Sequence, residues 1–182
     1  MNFEAAYGLL AHGLLFGALA TLVPFGTFRA RAALAATTLS LLVGIAPIML
    51  AVFGPPSTTL LFLAVLQLAG RQPSPLGRLP ALAVIGMAAG LGVSASAIVP
   101  GDLYALGYQP WPLLAALLPV GIALWWKRQM PWLLILSIDL LAYAGGLFAN
   151  LWQALIDPLL VVLALAVVLR GPLARLIASR RR

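Results

Sequence analysis

Apolar runs follow one another along the whole chain, broken by basic pairs and by Gly/Pro turns rather than by polar helix faces. A membrane-spanning helix takes about 20 such residues. The pattern predicts an all-α fold, a polytopic transmembrane helix bundle with spans near 5–25, 32–53, 58–70, 79–99, 111–126, 132–149 and 152–169. The third is short: at about 1.5 Å per residue it reaches about 20 Å of a hydrocarbon core about 30 Å thick. It either extends into the following Pro-containing loop or is re-entrant, and in the second case the count falls from seven to six. Gly54-Pro55-Pro56-Ser57 forms the turn before it, 100–110 is the longest outer loop, and Pro119 interrupts the fifth span. Trp111, Trp125, Trp126, Trp132 and Trp152 all fall at span ends, where indoles favour the headgroup layer.

The basic residues set the orientation. They gather as Arg29 and Arg31, Arg71 and Arg78, Lys127 and Arg128, then Arg170, Arg175, Arg180, Arg181 and Arg182. Lys and Arg are retained on the cytoplasmic side of short loops. An even number of spans must therefore separate consecutive groups, and 32–70, 79–126 and 129–169 each hold one helical hairpin. With one span before Arg29 the total is seven, the N-terminus outside and the C-terminus cytoplasmic. Glu4, Asp102 and Asp157 fall at the outer ends, in agreement, and Asp139 alone lies inside a span. Glu4 and the missing basic n-region argue against a cleavable signal peptide.

Composition adds the class and removes others. Of 182 residues 63% are apolar and 8% charged, with mean hydropathy +1.08; soluble domains run at about 45–50% and about 25%. The expectation is one integral membrane domain over 1–182 with a basic cytoplasmic tail at 170–182. The absence of cysteine removes disulfides and thiolate chemistry within the chain. A pI of about 11.2 suggests nucleic acid, but five of the eleven basic residues lie in that tail. There they read as a stop-transfer signal drawn to anionic lipid, so no nucleic-acid partner is expected.

Asp139 is the sharpest chemical clue, because a carboxylate about 10 Å into hydrocarbon is expensive and usually functional or paired. Tyr143, Gly146, Asn150, Gln153 and Asp157 follow at helical steps. As long as one helix continues, these residues form a polar stripe from mid-membrane to the outer surface. The stripe either lines a solute path open to the outside or fixes helix packing by hydrogen bonds. Asp157-Pro158 also reads as a helix start, which places the break near Asn150–Gln153 and Asp157 at an outer mouth. His12, in the first span, is a relay partner or an interhelical hydrogen-bonding residue. Asp102, Tyr104 and Tyr108 make the outer loop a contact surface or an interfacial half-turn. Gly13-x-x-x-Gly17 and Gly86-x-x-x-Gly90 permit close helix approach, within the bundle or between copies.

Known membrane chemistries fit poorly. Gly92-Val93-Ser94-Ala95 superficially resembles the nucleophile segment of rhomboid proteases, but their histidine lies on a later span and none follows Ser94. An aspartic dyad would draw on Asp102 and Asp157. A retinal pigment needs a buried lysine, whereas the sole lysine, Lys127, falls in a cytoplasmic loop. One histidine cannot supply bis-histidine haem ligation, and no cofactor or metal is expected. The composition is that of a bacterial inner-membrane protein. The expected function is a transport component, or the membrane-embedded partner of one, with a polar path open to the outside. An accessory subunit of a larger membrane complex is the alternative, and an enzyme acting on lipid or lipid-linked substrate comes third. Expected partners are membrane lipids and other membrane subunits or a second copy.

Overall fold

A computed structural model describes residues 3–70, 74–96 and 102–179. Arg71, Gly101, Arg180, Arg181 and Arg182 lie outside the described residues. Every regular element among those described is helical. In order they are α1 (Phe3–Ala20), α2 (Arg29–Leu42), α3 (Ile45–Phe53), α4 (Thr58–Leu68), α5 (Arg78–Ala95), α6 (Pro110–Trp126), α7 (Met130–Ala144), α8 (Leu151–Leu155) and α9 (Pro158–Ser179). Two of them, α1 and α5, are long and apolar enough to cross a membrane. The pair α2–α3, bent by 72°, is either one broken span, which would make a third, or a re-entrant loop, so two to three candidate spans stand where seven were expected. The remaining apolar helices, α4, α6, α7 and 158–171 of α9, are shorter.

Two glycines account for breaks that the hydrophobic pattern conceals. Gly44 takes φ 84° between α2 and α3, and Gly146 takes φ 73° after α7; L side chains resist this left-handed region. The Gly146 amide donates to Tyr143 O and the Leu147 amide to Ala142 O, the paired closure that ends many helices. The expected 132–149 span therefore stops at Ala144, earlier than the expected break near 150–153. The five-residue α8 then stands between it and α9.

Small residues let α1 and α2 approach closely. A Cβ at Gly13 would meet Leu41 at 3.2 Å, and one at Gly17 would run into the Thr37 hydroxyl and the Ala33 carbonyl. Gly86 and Gly90 of α5 have nothing within 4 Å of a built Cβ, so the same spacing serves packing in one helix and leaves an open face in the other. One core joins Leu60 and Leu63 of α4, Ala81 and Val84 of α5, Ile135 of α7, and Leu160 and Ala164 of α9. A second gathers Leu113 of α6 with Phe148, Leu151 and Ala154 around α8. Large apolar side chains cover the exterior, including Trp126 at 83% and Leu79 at 80% exposure. A surface of that kind is stable against lipid, where cohesion between helices comes from close packing and polar contacts.

The Gly54–Ser57 turn, expected between the second and third segments, is drawn partly into the bundle: Gly54 and Pro55 are half-buried, and Pro56, Ser57, Thr58 and Thr59 are buried. The Tyr7 hydroxyl donates to Pro56 O at 2.9 Å and His12 Nε2 to Gly54 O at 3.0 Å. Measured along α1 from Phe3, those two residues sit about 6 and about 13 Å in. The turn is buried because α1 supplies donors for carbonyls that would otherwise be left unpaired.

Candidate functional site

Helix α4 starts at this buried turn. Ser57 takes extended angles, and its hydroxyl accepts from the Leu60 amide, a serine N-cap. The next two residues aim hydroxyls at α7: Thr58 Oγ1 donates to Asp139 Oδ1 at 2.5 Å, and Thr59 Oγ1 to Asp139 Oδ2 at 2.7 Å. Thr58 Oγ1 also lies 3.1 Å from the carbonyl of Ala154 in α8. Asp139 is 1% exposed, so its carboxyl group is removed from solvent and held by two side chains about 80 residues earlier in the chain.

Asp157 joins the same turn from the other side. Its Oδ1 accepts from the Leu160 amide, capping α9, and its Oδ2 accepts from the Ser57 amide at 2.7 Å. One carboxylate therefore serves the starts of both α4 and α9. Asp139 and Asp157 meet the chain at neighbouring residues, 58–59 and 57, although they leave different helices. The two aspartates that a dyad would have drawn on, Asp102 and Asp157, bond different backbone segments. Asp102 Oδ1 instead accepts from the Tyr104 and Ala105 amides of its own turn.

Above Asp157 is an open cavity of about 320 Å³ lined by Glu4, Phe53, Gly54, Pro55, Leu91, Tyr104, Trp152, Gln153, Ile156, Asp157 and Pro158. Its floor is the carbonyl-rich turn that His12 and Tyr7 hold from α1. Its rim is tethered: Trp152 Nε1 donates to Leu103 O at 2.9 Å, Asn150 Nδ2 to Tyr104 O at 3.0 Å, and Gln153 Nε2 to the Tyr104 hydroxyl at 3.2 Å. Tyr104 and Tyr108 meet edge to face at 5.9 Å. Partial burial holds the Tyr104 phenol above its ordinary pKa, so it is a neutral hydroxyl at physiological pH. Gly107 is required here, because a Cβ would overlap the Asn150 amide.

The expected polar stripe is thus divided among several tasks. Gln153 and Asp157 line the cavity, and Asp139 is held by the same 57–59 segment from the bundle side. Asn150 caps α8 through the Trp152 amide and grips the 103–108 loop. Tyr143 packs with the second core, where Phe148 also meets Tyr7 edge to face. His12 bonds the turn backbone at Gly54 O, and among the described residues no hydrogen bond links it to Asp139, so the relay role has no direct link there. Sequence reading missed Tyr7, Ser57, Thr58 and Thr59. A run of three hydroxyls at a helix start, in a chain this apolar, was the available signal.

No group of three or more His, Cys, Asp or Glu that could hold a metal occurs among the described residues. No protein family, curated protein or solved structure matches the chain.

Proposed function

We propose that the protein is a small polytopic membrane transport component, with a solute path that opens from the outside into the cavity above Asp157 and ends at Asp139. One observation carries this reading: a buried carboxyl group held by two hydroxyls at the start of α4, beneath an open cavity that sets two carboxylates and Gln153 in an otherwise apolar wall. Helix starts sunk into a bilayer expose backbone polarity, which is tolerated where it is buried in protein or lines a water-filled space.

The orientation follows the charges. Glu4, Asp102 and Asp157 belong to the end that carries the cavity. The Arg29 guanidinium belongs to the other, donating to Gln67 O at the end of α4 at 2.7 Å. Trp132 Nε1, donating to Pro75 O at 3.1 Å, ties the start of α7 to that same end. Retention of arginine in the cytoplasm then places the cavity outside. In this arrangement α1, α2–α3, α4, α5, α6, α7 and α9 make seven crossings in a bacterial inner membrane, and α8 lies at the mouth.

The test is flux through the purified protein in proteoliposomes, read with potential- and pH-sensitive dyes. The probes are protons, alkali cations and small organic ions of both signs. Flux in wild type that is abolished in Asp139→Asn, with unchanged insertion and unfolding midpoint, supports the reading. Wild-type flux in Asp139→Asn, or no flux with any probe, ends it.

A further inference from the structure

The cavity has a chemistry of its own. It holds two carboxylates, Glu4 and Asp157, and no basic residue among its described lining. Glu4 is exposed to the cavity and has no hydrogen bond or ion pair among the described residues. Asp157 donates nothing and accepts one amide on each oxygen, which leaves further acceptor positions on a carboxylate. The rest of the wall is aromatic or aliphatic: Phe53, Tyr104 and Trp152 together with Pro55, Leu91 and Ile156. Tyr104 and Trp152 are fixed in place by their bonds to Gln153 and Leu103.

We infer that this cavity is a binding site for an organic ammonium ion with an apolar substituent. The carboxylates supply the counter-charge, and the aromatic rings attract a weakly hydrated cation through their faces. An anion would meet two like charges, opposed only by the Tyr104 hydroxyl proton and the second Gln153 N–H, since the Trp152 indole N–H is already given to Leu103 O. A bare metal ion would find two carboxylates in a mostly apolar wall, with the Gly54 and Pro56 carbonyls of the turn already accepting from His12 and Tyr7, short of the oxygen ligands that hard cations require. A volume of about 320 Å³ suits a small organic cation and falls at the lower end of ordinary ligand pockets. The fixed rim makes the site preformed, so little ordering accompanies binding. The inference rests on the proposed function only in treating the cavity as the solute entrance.

Isothermal titration calorimetry of the full chain in lipid nanodiscs tests it, with benzyltrimethylammonium, benzyl alcohol and benzoate as probes. The expected result is saturable binding of the ammonium, none of the other two, and affinity weakened about tenfold in Glu4→Gln, the size of one lost partly exposed charge contact. Gly86→Ala, on the open face of α5, keeps wild-type affinity. Equal binding of benzyl alcohol, no saturable ammonium heat, wild-type affinity in Glu4→Gln, or saturation by calcium chloride instead would each overturn the inference. Ammonium binding without Asp139-dependent flux leaves this site standing and removes the transport reading. Asp139-dependent flux of another solute without ammonium binding does the reverse.

Discussion

Helices α4 and α5 follow each other in the chain and divide the properties expected of a membrane span. α5 has 18 residues, enough to cross a bilayer, yet only Ala81, Val84 and Ser94 are buried on it, and its Gly86, Gly90 and Gly92 face open space. α4 has 11 residues, short of full bilayer thickness by helix alone, yet Thr58, Thr59, Leu60, Leu63 and Ala64 are buried and its first turn holds Asp139. Length and hydropathy identify the helix that is long and apolar enough to cross a membrane. Polar residues at a helix start identify the one the bundle is assembled around.

The hardest blow to that contrast falls on Asp139. Asp139→Leu strands the Thr59 hydroxyl and removes the nearer partner of Thr58, so unfolding in detergent should shift by about 2–4 kcal/mol. Asp139→Asn keeps an acceptor and a donor in place and should lose less than half as much. Equal losses would mean that shape, and not hydrogen bonding, holds α4. A smaller effect comes from crowding: Gly17→Val must displace Thr37 and Ala33 and should cost about 1–3 kcal/mol, whereas Gly90→Val should stay within about 0.5 kcal/mol. If Gly90→Val is as costly, α5 has a partner on its open face. Thr59→Val should cost about 1 kcal/mol, and Thr59→Ser should restore most of it. The mildest test leaves stability aside. Cysteine at Gln109 should react with an impermeant thiol reagent added outside, and cysteine at the buried Ser57 should not. Reaction at Ser57 would return the turn to the surface and end the distinction between the two helices.

The helical class was legible because apolar runs punctuated by arginine pairs leave few alternatives, and the start of the third segment at Thr58 emerges where Ser57 suggests a cap. Asp139 was legible from the cost of its charge. What could not be read was its set of partners, since a helical stripe relates residues only along one unbroken helix. Gly146 ends that helix, and the ligands of Asp139 come instead from a turn about 80 residues upstream. Nothing in local periodicity distinguishes a Gly-Pro-Pro-Ser turn at the surface from one inside the bundle. That depends on Tyr7 and His12, which supply donors across 49 and 42 residues. The two Gly-x-x-x-Gly spacings were alike as patterns and differ because only one has a helix opposite.

The turn at Gly54–Ser57 also dictates an order of assembly during synthesis. Its contacts to Tyr7 and His12 are available as soon as it leaves the ribosome, but Thr58 and Thr59 must wait for Asp139, and Ser57 for Asp157, 100 residues downstream. Until then the nascent α4 is too short to hold itself across a bilayer and carries two unsatisfied hydroxyls, Thr58 and Thr59, and an unpaired Ser57 amide at its leading end. On the proposed membrane reading, the early helices stay beside one another until the last third of the chain emerges. A ribosome stalled before residue 139 should leave 58–68 loosely inserted and open to extraction, while α1 and α2 are already paired.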